Sequence, residues 1–334
     1  MVLSAPIYVH WEITDCCNLK CRHCYQQHSK ELLKRDSKTL FYIADQLIEE
    51  KVFQVTLTGG EPLLVAELPE LVMYLSKNNI VPRITTNGFF INHKWIDILK
   101  QYNVKIQISL DSSDEMEHNF IRNNELAFKK AINAIKLLVE NECDVSIGFC
   151  ANKLNYHRIE EIISLALKMG VNSVLVGEMV PNNVNNRKLF FSKYDYKMFI
   201  ESASKLKQLY HERIQLSIDT EWGFLLDDNM EHAPCSALDR DMAILANGDV
   251  VPCPFIRHSA YVLGNVFKEK IKTIWNSEKA AYFRNNKYRG CNSACKYYKK
   301  CMSGCKAMLA NEGKIIEEVD INAPCIKWEL LQTK

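Results

Sequence analysis

The sequence predicts an α/β protein in which a partial (β/α)6 barrel, similar to a TIM barrel, precedes a loop-rich C-terminal domain. Up to Glu178, six short runs rich in β-branched and aromatic residues alternate with helix-length segments whose apolar residues recur at helical spacing. Such alternation is typical of a parallel sheet with helices on its outside. Beyond about Thr220 the periodicity becomes short and irregular and cysteines become frequent, so we expect two domains, 1–220 and 221–334.

The predicted strands and helices of the barrel follow one another as βα units. The strands are expected at Ile7–Thr14, Phe53–Thr58, Val81–Thr86, Val104–Leu110, Asp144–Cys150 and Ser173–Glu178. The helices are expected at Thr39–Glu50, Leu68–Lys77, Lys94–Gln101, Leu126–Glu140 and Ile159–Met169. Gly170 is a stop signal for the last of these helices. Because ligands of such folds bind beyond the C-terminal ends of the strands, functional residues are expected in the loops that follow them.

The chain after the sixth strand is less regular. Further elements are expected as a helix at Lys193–Arg213, a strand at Ile214–Asp219 and two short strands at Met242–Leu245 and Val250–Val251. Asn247-Gly248 between the two short strands predicts a hairpin turn. The asparagine-rich stretch Asn182–Asn186 predicts a solvated surface loop.

The composition excludes some classes of partner and location. Forty-two basic residues against 40 acidic residues leave a net charge of +2 over 334 residues. This small charge creates no long-range attraction for nucleic acid or anionic lipid, so neither is expected as a partner. The sequence has no run of about 18 apolar residues that would predict a membrane span, and Met1–Glu12 does not resemble a signal peptide. The protein is therefore expected in the cytoplasm. Thirteen cysteines in a reducing compartment indicate thiolates for metals or catalysis.

Three cysteines after the first predicted strand have the spacing C-x3-C-x2-C, and we call Cys17, Cys21 and Cys24 the triad. Thiolates at this spacing can converge on one face of a [4Fe–4S] cluster. Three protein ligands leave one iron with an open position, as in reactive rather than sealed metal sites. The alternative is a zinc site with His23 or Cys16 as the fourth ligand.

The triad resembles the signature of the radical S-adenosylmethionine (SAM) superfamily. Gly59-Gly60-Glu61-Pro62, after the second strand, matches the GGEP motif of that family, whose backbone contacts the methionyl amine of SAM. Glycine permits such a close approach of backbone to ligand. The resemblance implies further SAM contacts. They are expected from Asn87 at the end of the third strand, from Ser109 and Asp111 at the end of the fourth strand, and from Arg122 beyond it.

The resemblance also implies the chemistry. The open iron would chelate SAM through its amino and carboxylate groups, and one electron from the reduced cluster would break a carbon–sulfur bond. The resulting 5′-deoxyadenosyl radical would then abstract hydrogen from a substrate. The protein orients the cofactor and excludes side reactions. No side chain is assigned as a catalytic acid or base, and a flavodoxin or ferredoxin is expected as the reductant.

The C-terminal cysteines resemble the seven-cysteine SPASM domain of radical SAM proteins, although Cys291-x3-Cys295 has one residue more than the usual spacing. The resemblance implies two auxiliary [4Fe–4S] clusters, one on Cys235, Cys253 and Cys305, and one on Cys291, Cys295, Cys301 and Cys325. The first of these clusters could also have an open iron. Zinc sites or disulfides are the alternatives.

The function implied by the resemblance is oxidative modification, such as crosslinking, of a side chain in a ribosomally made peptide, because two auxiliary clusters recur in such maturases. The triad begins at residue 17, so a separate protein or the barrel surface is expected to recognise any leader peptide. Pro254 and Phe255 stand where sulfatase maturases have an aspartate, so formylglycine formation is not expected. The alternatives are an enzyme acting on a tetrapyrrole, quinone, sugar or other small molecule, and a non-catalytic iron–sulfur or zinc protein that transfers electrons or scaffolds a partner.

Two further cysteines lie close to the expected site. Cys16 adjoins the triad but is out of its spacing, so we expect it to be a packed thiol. Cys150 ends the fifth strand, where it would be either a buried inert thiol or a hydrogen donor to a substrate radical.

Overall fold

A computed structural model describes residues 3–26, 37–180, 184–219, 235–286 and 305–307. Its strands are β1 (Tyr8–Thr14), β2 (Gln54–Gly59), β3 (Val81–Thr86), β4 (Lys105–Ser109), β5 (Val145–Ala151), β6 (Ser173–Glu178), β7 (Gln215–Asp219), β8 (Asp241–Ile244), β9 (Asp249–Val251) and β10 (Gly264–Asn265). Its helices are α1 (Ser37–Glu49), α2 (Leu68–Lys77), α3 (His93–Gln101), α4 (Glu115–Arg122), α5 (Ala127–Glu140), α6 (Ile159–Met169), α7 (Val184–Arg187), α8 (Lys193–Tyr210), α9 (Ile271–Trp275) and α10 (Glu278–Asn286).

The strands of the described residues form one sheet in the order β10-β9-β8-β1-β2-β3-β4-β5-β6-β7. Strands β1 to β7 are neighbours in chain order, and each pairs in parallel with the next. The predicted α/β fold and its partial barrel are therefore confirmed. The sheet does not close on itself, since β7 and β10 are its two ends. All the C-terminal ends of β1 to β7 consequently lie along one rim.

Alternation along the strands separates an apolar face from a polar face. In β1, Val9, Trp11 and Ile13 are buried in the hydrophobic core, while His10 and Glu12 lie on the opposite face. The apolar face packs against the helices, whose buried residues belong to the same core. The polar face of the sheet is the inner face of the partial barrel.

The C-terminal strands extend the barrel sheet instead of forming a sheet of their own. β8 pairs in parallel with β1, and β8 and β9 form the hairpin that Asn247-Gly248 predicted. Gly248 has φ of +87°, a backbone conformation that favours glycine at this turn. Gln46 of α1 ties this region to the barrel, because its side chain accepts from Ile271 N at 2.9 Å and donates to Val266 O at 3.2 Å.

The predicted helices are confirmed to within a few residues at their ends. Among the described helices, α4 was not predicted, and neither were α7, α9 and α10. The α4 sequence EMEHNFIR offers few apolar positions. Asp114 begins the helix by accepting a hydrogen bond from Glu117 N, and Asn123 ends it in the left-handed conformation. As a result Arg122, expected near SAM, lies in the last turn of a helix.

No helix within the described residues is both long and apolar enough to cross a membrane.

Candidate functional site

The triad lies in the loop that leaves the C-terminal end of β1. Backbone amides point at two of its sulfurs, because Leu19 N donates to Cys17 Sγ and Gln26 N donates to Cys24 Sγ, both at 3.4 Å. Cys24 N also donates to Cys21 O at 3.2 Å, which closes a tight turn. The loop thus fixes its cysteines with its own backbone and leaves each partly exposed.

The thiols of the triad sit in one electrostatic environment. Burial raises the pKa of Cys17 to about 12 and that of Cys24 to about 11, and each of these pKa values is also raised by the charge of Cys21. Arg122, whose Nη1 lies 3.9 Å from Cys21 Sγ, lowers the pKa values of Cys21 and Cys24. Without a bound cation the thiols are therefore protonated, and a metal centre would be needed to hold them as thiolates.

The two glycines of Gly59-Gly60-Glu61-Pro62 let the triad loop approach β2 closely. A Cβ on Gly60 would lie 1.9 Å from Cys16 O, and one on Gly59, whose φ is +129°, would lie 2.1 Å from Thr14 O. Hydrogen bonds from Gly60 N to Thr14 O at 2.8 Å and from Glu61 N to Cys16 O at 2.7 Å hold the two loops together. The glycines therefore serve contact with the cysteine loop itself, while their expected contact with SAM stays a prediction.

The Glu61 side chain is buried and joins the loops that follow β2 and β3. Its carboxylate accepts from Thr86 Oγ1 at 2.6 Å, Asn87 N at 2.9 Å and Leu63 N at 3.1 Å. Burial nevertheless raises the pKa of Glu61 to about 7. Because these three donors come from the loops after β2 and β3, the Glu61 carboxylate positions these loops, and its expected contribution to SAM binding stays a prediction.

Asn87 links the loop after β3 to the triad loop. Its Nδ2 donates to Asn18 Oδ1 at 2.8 Å, and its Oδ1 accepts from Phe89 N at 3.0 Å. Ser109 is the last residue of β4 and is partly buried on the same rim. These positions agree with the expected site, although the structure does not test a SAM contact at either residue.

Asp111 and Arg122 form a buried ion pair behind the triad. Arg122 Nε lies 2.6 Å from Asp111 Oδ2, and the Asp111 side chain is 0% exposed. Burial alone would raise the pKa of Asp111, but Arg122 and His23 hold it below its ordinary value. Burial lowers the pKa of His23 to about 4, so this imidazole is neutral. Asp111 thus has a positioning role, because it holds Arg122 against Cys21, while the SAM contacts expected of both residues stay predictions.

Cys150 joins the same network from β5. Its backbone N donates to Asp111 Oδ1 at 3.0 Å, and burial raises the pKa of its thiol. Asn155 Nδ2 donates to both Asp111 O at 2.8 Å and Cys150 O at 3.0 Å. The thiol is therefore protonated on the rim near the triad, and its role as a hydrogen donor stays a prediction.

The expectation that Asn182–Asn186 is solvated is wrong for Asn186. This residue belongs to α7 and is 0% exposed, and its Nδ2 lies 3.5 Å from Cys24 O. Asparagine-rich composition indicated a surface loop because it contains no apolar pattern. The buried amide instead donates to a main-chain carbonyl of the triad loop.

The C-terminal cysteines are described only in part. Cys235, Cys253 and Cys305 are partly buried and pack against the hydrophobic core. The other four predicted ligands lie outside the described residues: Cys291, Cys295, Cys301 and Cys325.

An ion pair that the sequence did not reveal joins the two cysteine regions. Arg257, four residues after Cys253, donates from Nη1 to Glu12 Oε2 at 3.1 Å and from Nη2 to Glu12 Oε1. The Glu12 side chain is 3% exposed. Because Glu12 and Arg257 are 245 residues apart, no local sequence pattern indicates that they pair. A carboxylate between the apolar residues Trp11 and Ile13 of a strand was the one clue.

The residues present fit an iron–sulfur cluster in the triad loop. Amide hydrogen bonds to sulfur and a nearby guanidinium are features that stabilise cluster-bound thiolates. Cys17, Cys21 and Cys24 would hold the cluster, and Arg122 would offset its negative charge. Within the described part of the chain, no three thiol, imidazole or carboxylate groups are arranged to hold a single metal ion.

Comparison with known families finds two matching models. The model of the radical SAM superfamily matches residues 11–166. The model of the SPASM iron–sulfur cluster-binding domain matches residues 235–302. Both matches include predicted ligand cysteines, the triad in the first and five C-terminal cysteines in the second.

Individual proteins resemble the chain over most of its length. It is 28% identical to the mycofactocin maturase MftC of Mycobacterium tuberculosis, a match covering 91% of this chain and 79% of that protein. It is 24% identical to an AdoMet-dependent heme synthase of Methanosarcina barkeri, covering 94% of this chain and 95% of that enzyme. The crystal structure of Streptococcus suis SuiB bound to the precursor peptide SuiA superposes with a TM-score of 0.77 at 20% identity, covering 94% of this chain and 74% of that one.

Proposed function

The chain belongs to the radical SAM superfamily and carries a SPASM domain, and from this premise we propose that it modifies a side chain of a ribosomally made precursor peptide. The observation that carries this proposal is a triad loop whose backbone amides donate to two cysteine sulfurs, in a chain that resembles a maturase over 91% of its length. The family makes the chain a radical SAM enzyme with a [4Fe–4S] cluster and SAM as cofactors.

In this proposal the chain's own residues build and shield the reaction site. When bound, the cluster and SAM supply a 5′-deoxyadenosyl radical that abstracts hydrogen from the substrate. Cys17, Cys21 and Cys24 hold the cluster, and the glycine contacts at Cys16 and Thr14 fix the loop that carries them. We propose that the backbone of residues 59–62, together with Asn87, Ser109, Asp111 and Arg122, orients SAM.

Arg122 is the best supported of these SAM-binding candidates. Its guanidinium is buried beside both Asp111 and Cys21, so it is held rigidly next to the proposed cluster. A carboxylate of SAM at the open iron would find a charge-assisted donor there. Asp111 then acts through Arg122, as a positioning residue.

Further parts of the proposal concern the C-terminal domain and the partners. We assign two auxiliary [4Fe–4S] clusters to residues 221–334, with the cysteine sets given by the SPASM resemblance. We expect a flavodoxin or ferredoxin as the reductant and a separate protein, or the barrel surface, for any leader peptide. An oxygen-sensitive cluster and thirteen cysteines also favour the cytoplasm as the working compartment.

The proposal is tested with anaerobically reconstituted, reduced protein. Short peptides encoded beside its gene are incubated with the protein and SAM, and mass spectrometry follows both the peptide and 5′-deoxyadenosine. A change in peptide mass that depends on SAM supports the proposal. An unchanged peptide together with turnover of a tetrapyrrole, quinone or sugar precursor would favour small-molecule biosynthesis, which the heme synthase match keeps as the second candidate.

A further inference from the structure

The Glu12–Arg257 pair lies where the two cysteine-bearing segments meet. Glu12 is in β1, two residues before the strand ends at Thr14, and Arg257 is in the loop that follows Cys253. The pair is bidentate, and the Glu12 carboxylate is almost completely buried. A buried carboxylate with this partner is costly to leave unpaired, so the geometry is held firmly.

Aromatic contacts continue the bridge to the triad. The Arg257 guanidinium lies over the Tyr25 ring, 5.0 Å from its centroid, and Tyr25 directly follows Cys24. Tyr25 also packs edge-on against Phe255, with their centroids 4.9 Å apart. One cation therefore contacts both the strand before the triad and the residue after it, while its own backbone belongs to the Cys253 segment.

The cation of this pair is fixed beside the triad loop. The Arg257 guanidinium contacts the ring of Tyr25, the residue next to Cys24, whereas Glu12 lies in the strand that precedes the loop. A cluster on three thiolates gains negative charge on reduction, so a fixed cation beside this loop favours its reduced form.

We propose that Arg257 is a positioning residue of the triad cluster: held by Glu12 and Tyr25, it docks the Cys253 segment against the triad loop and raises the reduction potential of the cluster. The inference rests on the proposed function only in requiring that cluster. It assigns the SPASM segment a direct effect on the SAM-binding centre, independent of which substrate is modified.

The two members of the pair give opposite expectations. Arg257→Gln removes the cation and leaves the buried Glu12 carboxylate, so the potential of the triad cluster should become more negative. Glu12→Gln removes the anion and leaves Arg257 uncompensated, so the potential should become more positive. Arg257→Lys keeps the charge and should restore most of the wild-type potential. A role in folding alone would not produce shifts of opposite sign.

The experiment is an EPR-monitored redox titration of the anaerobically reconstituted full chain, with the triad cluster identified by its response to SAM. Arg284→Gln is the matched control, because Arg284 also stacks on an aromatic ring, 4.5 Å from Trp275, and bonds to main-chain Leu238 O and Trp275 O. Its potential should equal that of the wild type. No shift in either pair variant, or shifts in the same direction, would overturn the inference.

A second measurement gives a readout for variants that bind too little iron for a redox titration. Hydrogen–deuterium exchange of residues 15–26 should rise in Arg257→Gln and remain near wild type in Arg257→Lys and Arg284→Gln. Equal exchange in all four proteins would contradict the docking role. Both readouts are taken without a peptide substrate, so failure of the proposed peptide chemistry would leave them interpretable.

Discussion

Gly60→Ala is the substitution for which the structure predicts the clearest loss. The new Cβ would lie 1.9 Å from Cys16 O, whereas ordinary contacts begin near 3.4 Å, so the two loops must separate by about 1.5 Å. Overpacking of this kind costs about 1–3 kcal/mol. Breaking the bond from Glu61 N to Cys16 O adds about 0.5–1.5 kcal/mol. We therefore expect the free energy of unfolding to fall by about 1.5–4.5 kcal/mol.

The displaced residue adjoins Cys17, so the same substitution should also lower iron content at the triad. Urea denaturation of the cluster-free protein measures the stability, and iron analysis after anaerobic reconstitution measures the loading. Gly177→Ala is the matched control, because a Cβ there meets nothing within 4 Å. It should stay within about 1 kcal/mol of wild type. Equal stability and iron content in the two variants would refute the reasoning about the glycine contact.

Two further predictions concern buried carboxyl groups. Burial raises the pKa of Glu61 to about 7 from 4.5, so the folded state holds this proton more tightly than the unfolded state. The free energy of unfolding should therefore fall as the pH rises from about 4.5 to about 7. Glu61→Gln should make this dependence on pH weaker. An unchanged pH dependence of the variant in urea titrations would contradict the prediction. Asp111→Asn leaves Arg122 buried without its partner and should cost about 3–5 kcal/mol of unfolding free energy. Lys105→Ala breaks an exposed pair with Asp144 and should cost less than about 1 kcal/mol, so similar losses in the two variants would argue against burial as the cause.

The sequence predicted the parts of the fold that depend on local periodicity. Apolar residues recur at strand or helix spacing within the strands and most helices, and the three cysteines of the triad lie within one loop. Both features were therefore recognisable from short stretches of sequence. α4 was missed because EMEHNFIR has few apolar residues, and two of its three buried residues, His118 and Arg122, are polar or charged.

The parts that could not be predicted depend on contacts between distant segments. The pairing of β8 with β1 and the Glu12–Arg257 bridge join residues more than 200 positions apart. Asn186 was expected at the surface because its neighbours are polar. Its buried amide contacts a main-chain carbonyl of the triad loop, which is distant in sequence. The glycines of residues 59–60 were singled out for a contact with SAM, which stays a prediction, and the structure adds that their small size allows a close contact with the cysteine loop.

The most direct test of the account is the EPR spectrum of the reduced protein before and after addition of SAM. Cys21→Ser serves as the control that removes one ligand of the triad. We expect SAM to change the signal of one cluster in the wild type, with 5′-deoxyadenosine forming in the same sample, and neither effect in the variant. A wild-type spectrum that SAM leaves unchanged, in protein that carries its full iron content, would contradict the assignment of the triad as the SAM-binding centre.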